Sequence, residues 1–132
     1  MKQILVAGGP AGVRLLSSAV SGQADIESAA SLDAAVDRAH AHPDVIACEM
    51  SFDDSRMFEL VEALKADADM RDIPVVCFRT KVGTLPAAFV SRATLALQAL
   101  GVAAFIDVVQ LSAQVGADSA VAQLGQAISR YL

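Results

Sequence analysis

The alternation of short strand-like runs with longer helical runs is the feature that most constrains the fold of this chain. Apolar runs predict strands over residues 3–8, 44–50, 75–79 and 103–107, and a weaker polar–apolar alternation predicts an edge strand over 25–29. Apolar residues at helical spacing predict helices over 10–21, 32–41, 54–66, 85–100 and 118–131. Ser31 is predicted to cap the second of these helices, and Asp53 or Asp54 the third. Five successive strand–helix units predict a parallel sheet with helices on both faces.

The length and the right-handed crossover rule narrow this class further. A chain of 132 residues is about the size of one domain. The expected architecture is therefore one domain over residues 1–132 with a flavodoxin-like (CheY-like) doubly wound, five-stranded parallel sheet of order 2-1-3-4-5 in three αβα layers. In such sheets a site lies at the carboxyl ends of the strands, which draws attention to Gly8, Gly9, Glu49, Arg79 and Asp107 with Val108.

Composition excludes several classes of function. The net charge of −5 argues against a nucleic-acid partner, because such proteins usually present a basic face. No apolar run is long enough to cross a membrane, and the start lacks the features of a signal peptide, so a cytoplasmic location without a membrane partner is expected. Cys48 and Cys77 lie in apolar runs and are predicted to be buried free thiols rather than a disulfide.

Residues 43–78, PDVIACEMSFDDSRMFELVEALKADADMRDIPVVCF, resemble the middle of a response-regulator receiver domain of the CheY-like family. The first strand, ILVAGG, and residues 97–106, LQALGVAAFI, resemble the corresponding parts of the same family. The resemblance covers most of the chain and is weakest over 80–96 and 108–117. It implies the flavodoxin-like fold and a role in two-component or phosphorelay signal transduction.

The residues that the family uses for phosphoryl transfer are replaced at every position. Gly8 and Gly9 stand where the resemblance places the acidic pair that holds Mg²⁺, and Glu49 stands at the phosphoaccepting aspartate. Arg79 replaces a Thr or Ser, and Val108 replaces a Lys. Mg²⁺ needs hard oxygen ligands, which glycine lacks. The chain is therefore predicted to be a degenerate receiver that is not phosphorylated in the usual way, is not an enzyme, and has no metal or cofactor.

Glu49 and Arg79 could replace the lost chemistry with a permanent contact. Both are predicted to lie at the carboxyl ends of adjacent strands, and the arginine fork suits a carboxylate. A Glu49–Arg79 ion pair would imitate the attraction exerted by a phosphoaspartate and hold the domain in one signalling state. In the alternative, both side chains turn to solvent.

Two segments, the one between Arg79 and Gly101 and residues 108–117, are longer than the family usually has. They adjoin the face of the fourth helix, fifth strand and fifth helix, which the resemblance identifies as the usual output and dimer surface. Its predicted contact residues are Leu85, Val90, Leu95 and Phe105. The partner would be a histidine kinase, another regulator or a second copy in a homodimer; tolerated loop growth is the alternative.

Two other functional hypotheses remain open. The segment VAGGPAG, residues 6–12, resembles a dinucleotide-binding turn, so the Gly8–Gly12 turn could bind a small ligand or a nucleotide phosphate. The expected acidic residue after the second strand is missing, which weakens this hypothesis. Alternatively, Asp53 or Asp54 could serve as a different phosphoacceptor.

Overall fold

A computed structural model describes residues 1–81 and 86–132, with Ala87 described by its backbone alone. Within these ranges the chain forms five strands, β1 Gln3–Ala7, β2 Asp25–Ala29, β3 Val45–Glu49, β4 Val75–Arg79 and β5 Ala104–Asp107. The helices are α1 Pro10–Val20, α2 Leu32–Ala39, α3 Phe52–Ser55, α4 Met57–Ala66, α5 Ala87–Ala99, α6 Val108–Val115 and α7 Ala117–Ser129.

The strands form one parallel sheet in the order β2-β1-β3-β4-β5, which confirms the predicted flavodoxin-like topology. All five residues of the central strand β3 are buried, because helices cover both faces of the sheet. The edge strand β2 is largely exposed, as its alternating sequence predicted.

Each face of the sheet has its own hydrophobic core. Residues of α1, α6 and α7 pack on one face, together with the strand residues Ile4, Val6, Val45, Ala47, Val76 and Phe78. Residues of α2, α4 and α5 pack on the other, together with Leu5, Ala7, Ile46, Cys48, Val75 and Cys77. Successive residues of each strand thus face opposite layers, as the two-residue period of a strand requires.

Two local predictions are corrected by the structure. The segment after the fifth strand, expected to be a long connection over residues 108–117, contains the helix α6. Asp107 caps this helix, because its Oδ1 accepts a hydrogen bond from the Gln110 amide at 3.0 Å. The third helix was expected to begin at Asp54, yet Asp53 and Asp54 have left-handed backbone angles, and the regular helix α4 begins at Met57.

Candidate functional site

The Glu49 side chain lies buried at the carboxyl end of β3. Only 4% of the residue is exposed. Its Oε1 accepts a hydrogen bond of 2.5 Å from Ser51 Oγ, a length typical of a hydroxyl that donates to a carboxylate. Its Oε2 has no hydrogen-bond partner among the described residues. Glu49 is thus a buried acid with one satisfied and one unsatisfied oxygen, a state that costs free energy.

Glycines just before α1 and in its first turn make room for this side chain. A Cβ added to Gly12 would lie 2.5 Å from Glu49 Oε2, and a Cβ on Gly8 would lie 3.3 Å from Glu49 Cβ. A Cβ on Gly9 would meet nothing within 4 Å. The longer acid at position 49 therefore occupies space that the missing side chains of Gly8 and Gly12 leave free. Gly12 was predicted only as part of a possible ligand-binding turn, and its contact with Glu49 was not predicted because it joins two distant parts of the chain.

Arg79 pairs with Asp107, which corrects the predicted pairing with Glu49. Arg79 Nη1 lies 3.1 Å from Asp107 Oδ2, and each side chain is 11% exposed. The strand register explains the difference. Arg79 lies opposite Asp107 on β5, whereas Glu49 lies opposite Phe78. Because neighbouring residues of a strand point to opposite faces, Arg79 and Glu49 are directed to different sides of the sheet.

Val108 belongs to the core rather than to the surface of the site. It is 8% exposed and packs in the layer of α1, α6 and α7. The residue that closes the carboxyl end of β5 is its neighbour Asp107.

The turn between β3 and α4 is anchored to α2. Asp53 Oδ2 accepts a hydrogen bond from the Leu32 amide at 2.8 Å, and it lies 3.6 Å from Arg56 Nη1. The Leu32 amide is in the first turn of α2, where Ser31 also caps as predicted, accepting from Ala34. Asp53 thus acts as a structural acceptor for α2, which gives the hypothesis of a phosphoacceptor at Asp53 no support.

The family that the sequence resembles uses Mg²⁺, and the residues here do not fit that ion. Gly8 and Gly9 offer no carboxylate, Glu49 Oε1 is taken by Ser51, and Asp53 Oδ2 is taken by Leu32 and Arg56. Within the described ranges, no group of three His, Cys, Asp or Glu side chains could hold a metal ion. Mg²⁺ prefers carboxylate and water oxygens in near-ideal octahedral geometry, which this donor set does not provide.

A cavity of about 270 Å³ opens beside Glu49, and it is called the Glu49 cavity below. Its described lining combines apolar walls, two acids and one exposed lysine: Gly8, Gly9, Pro10, Ala11, Ala30, Glu49, Ser51, Phe52, Asp53 and Lys81. A carboxylate at this turn repels phosphate, so the geometry gives the hypothesis of a nucleotide-phosphate site no support.

The predicted partner surface is only partly apolar and exposed. Leu95 is 66% exposed, whereas Val90 and Phe105 are half-buried; Leu85 lies outside the described residues. Val90 and Phe105 line a groove of about 270 Å³ between α5, β5 and α6. Arg92 is the only charged residue in α5, so this surface carries little charge.

Cys48 and Cys77 are both free thiols and fully buried, as predicted. They lie opposite one another on β3 and β4. Burial, followed by the neighbouring Cys77 thiol, raises the pKa of the Cys48 thiol well above its ordinary value. The thiol is therefore held in its unreactive, protonated form.

Within the described part of the chain, no helix is both long and apolar enough to cross a membrane. No protein-family model matches the chain, and no curated protein matches it.

Solved structures of response regulators do match. A response regulator from Hahella chejuensis is 17% identical with a TM-score of 0.73, covering 100% of this chain and 96% of that one. The chemotaxis response regulator CheY4 of Vibrio cholerae is 17% identical with a TM-score of 0.69, covering 100% and 99%. The phosphorylated cyanobacterial phytochrome response regulator RcpA is 15% identical with a TM-score of 0.72, covering 98% and 92%. The chain therefore has the CheY-like fold of response-regulator receiver domains.

Proposed function

We propose that this chain is a degenerate receiver domain that acts in signal transduction through contacts with other proteins, without phosphorylation at Glu49. The receiver fold supports a signalling role. We further propose that the protein acts in the cytoplasm. The observation that carries the proposal is the state of Glu49. The side chain is buried, and a glutamate stands where the family has its acceptor aspartate. In addition, glycines stand at positions 8 and 9, where the family has its metal-binding acids.

The Arg79–Asp107 pair supports the same conclusion. Phosphoryl transfer depends on metal and cationic groups that neutralise the charge of the transferred group. Arg79 is the cationic residue at the end of β4, and it is engaged with Asp107 on the face of the sheet opposite to Glu49. The proposal therefore assigns the chain no catalytic reaction and no cofactor.

An amide-resolved NMR titration with Mg²⁺ and then beryllofluoride, a mimic of the phosphoryl group, tests the proposal. An active receiver titrated in parallel serves as the positive control. We expect no saturable shifts at the amides of Gly8, Glu49, Arg79 and Val108. Saturable shifts at these amides would contradict the proposal, because they would demonstrate a working metal or phosphoryl site.

The finer proposal concerns the partner surface formed by α5, β5 and α6. Leu95 is highly exposed for a leucine, and the adjacent groove is lined by Val90, Phe105 and Leu111. Exposed apolar surface of this kind is typical of protein contacts. We propose that it binds a second copy of the chain or another signalling protein, such as a histidine kinase or a second regulator.

The oligomeric state of a charge-bearing variant tests this surface. If two copies associate through α5, Leu95→Glu abolishes the dimer in sedimentation-velocity experiments at concentrations where the wild type dimerises. Ser18→Glu places the same charge on the exposed surface of α1 and is the matched control. A dimer that survives Leu95→Glu excludes this surface as the dimer contact, and a monomeric wild type excludes the homodimer.

A further inference from the structure

A second cavity, of about 210 Å³, lies between the carboxyl ends of β3 and β4 and the first turns of α4 and α5, and it is called the α4–α5 cavity below. It is distinct from the Glu49 cavity, although Ser51 and Lys81 line both. The apolar residues that line it are Met50, Met57, Phe58 and Phe89. An apolar cavity of about 150 Å³ holds benzene, so the α4–α5 cavity has room for one ring and a small substituent.

The apolar lining suits an aromatic ring. Methionine sulfur and phenylalanine rings both make favourable contacts with aromatic groups. Met57 belongs to the core, whereas Phe89 is 47% exposed. A ring bound here would remove part of the Phe89 surface from water, which is favourable. The lining therefore selects a ligand whose body is apolar and about the size of one ring.

The charged residues of the described lining are two cations, and only one of them has an acidic partner. Arg79 is paired with Asp107 at 3.1 Å. Lys81 is exposed and forms no ion pair with any Asp or Glu, all of which lie in the described ranges. No acid is among the described lining residues, and residues 82–85, VGTL, contain none. The cavity thus presents a positive charge without an acidic partner, in a chain whose net charge is −5.

A single charge of this kind beside apolar walls fits a monoanion with an apolar body. The lysine ammonium group has three N–H donors on a flexible stem, and it forms charge-assisted hydrogen bonds with carboxylates. A phosphate dianion would bring more charge and more bound water than this lining matches. We propose that the α4–α5 cavity binds a small carboxylate with a ring-sized apolar body, whose charge pairs with Lys81 Nζ. The inference goes beyond the proposed signalling role and does not rest on it.

Amide-resolved NMR titration with sodium benzoate at constant ionic strength tests the site. We expect saturable shifts confined to residues around the cavity, including the amides of Met57, Phe58, Thr80 and Phe89, with a Kd of about 1 mM or lower. Acetate has the same charge without the ring and binds about tenfold more weakly or worse, because it buries less apolar surface. Benzamide has the same ring without the charge and binds about threefold more weakly, since an exposed ion pair adds little.

Two variants separate the contributions of the charge and the ring. Lys81→Met removes the ammonium group and abolishes the preference for benzoate over benzamide. Lys2→Met removes an exposed lysine at the opposite end of the sheet and is the matched control that keeps this preference. Phe89→Ala weakens benzoate and benzamide alike by about fivefold, because part of the apolar wall is lost. Leu95→Ala removes another exposed apolar side chain of α5 that does not line the cavity, and it retains wild-type binding.

The proposal is wrong if benzoate produces no saturable shifts at the cavity, or if acetate binds as tightly as benzoate. It is also wrong if benzamide matches benzoate in the wild type, or if the preference for benzoate survives Lys81→Met. The comparison of the three ligands uses the wild type alone, so it decides the question even if a variant fails to fold. The beryllofluoride experiment is judged separately, because its ligand and its expected outcome are different.

Discussion

Asp107 joins Arg79 to the start of α6 through the two oxygens of one carboxylate. Oδ2 lies 3.1 Å from Arg79 Nη1, and Oδ1 accepts a hydrogen bond from the Gln110 amide at 3.0 Å. The end of β4, the end of β5 and the first turn of α6 are therefore fixed relative to one another by a single side chain. The pair is largely shielded from water, so its loss leaves Arg79 without its buried partner.

We expect Asp107→Ala to lower the free energy of unfolding by about 2–4 kcal/mol, because both the ion pair and the helix cap are lost. Asp107→Asn keeps an acceptor for the Gln110 amide and should cost less, about 1–2 kcal/mol. Urea unfolding followed by circular dichroism measures both. Equal losses in the two variants would show that the cap contributes nothing.

The contact between Gly12 and Glu49 predicts a substitution whose effect changes sign with its background. In the wild type, Gly12→Ala brings a methyl group against Glu49 Oε2, and we expect a loss of about 1–3 kcal/mol. In a Glu49→Ala background the same change should stabilise by about 0.5–1 kcal/mol, because alanine favours a helix over glycine.

A double-mutant cycle from urea unfolding measures this coupling between positions 12 and 49. Gly9→Ala is the control, since a Cβ there meets no atom within 4 Å, and it should change stability little in either background. The same penalty for Gly12→Ala with and without Glu49 would disprove the contact.

Gly125 lets α7 cross α1 closely. A Cβ at this position would overlap the backbone carbonyl of Ala19, and backbone atoms cannot move aside as a side chain can. We expect Gly125→Ala to destabilise the protein by about 2–4 kcal/mol, at or above the usual cost of overpacking. Thermal unfolding checks this. The penalty should exceed that of Gly12→Ala, where the obstacle is the mobile end of a side chain, and the reverse order would be inconsistent with the packing.

The buried Cys48 thiol predicts a loss of stability at alkaline pH. Its pKa is raised in the folded protein, so the unfolded chain loses this proton first as the pH passes about 9. The contribution of the protonated Cys48 thiol to the free energy of unfolding is fully present below that pH. It decreases as the pH rises toward the folded-state pKa. Urea unfolding from pH 7 to 10.5 should therefore give a shallower decline for Cys48→Ala than for the wild type. Identical declines would rule out this contribution.

The sequence predicted the strand order, the cap at Ser31 and the two buried thiols, because each depends on local pattern or on apolar content. It did not predict the partner of Arg79. The sequence indicates where a strand ends. Which residue lies opposite Arg79 depends instead on the register between β4 and β5, and this register places Asp107 opposite Arg79.

The helix α6 was missed for a related reason. Its sequence, VVQLSAQV, contains no charged residue and follows β5 directly, with no glycine or proline between them. The segment was therefore interpreted as a connection between β5 and α7. The cap that begins it, Asp107, is also the last residue of β5. Likewise, Asp53 was expected to cap its own helix but bonds to Leu32, 21 residues away.

The fit of Glu49 over Gly8 and Gly12 has a consequence for how this chain can diverge. A larger residue at position 12 is incompatible with the present position of the acid, and a shorter residue at 49 would leave a void beside the two glycines. The three positions should therefore vary together in related sequences, with a long side chain at 49 accompanied by small residues at 8 and 12. The combination of residues at positions 8, 12 and 49 would therefore distinguish homologues of this chain from other receiver-like sequences better than any one of these residues alone.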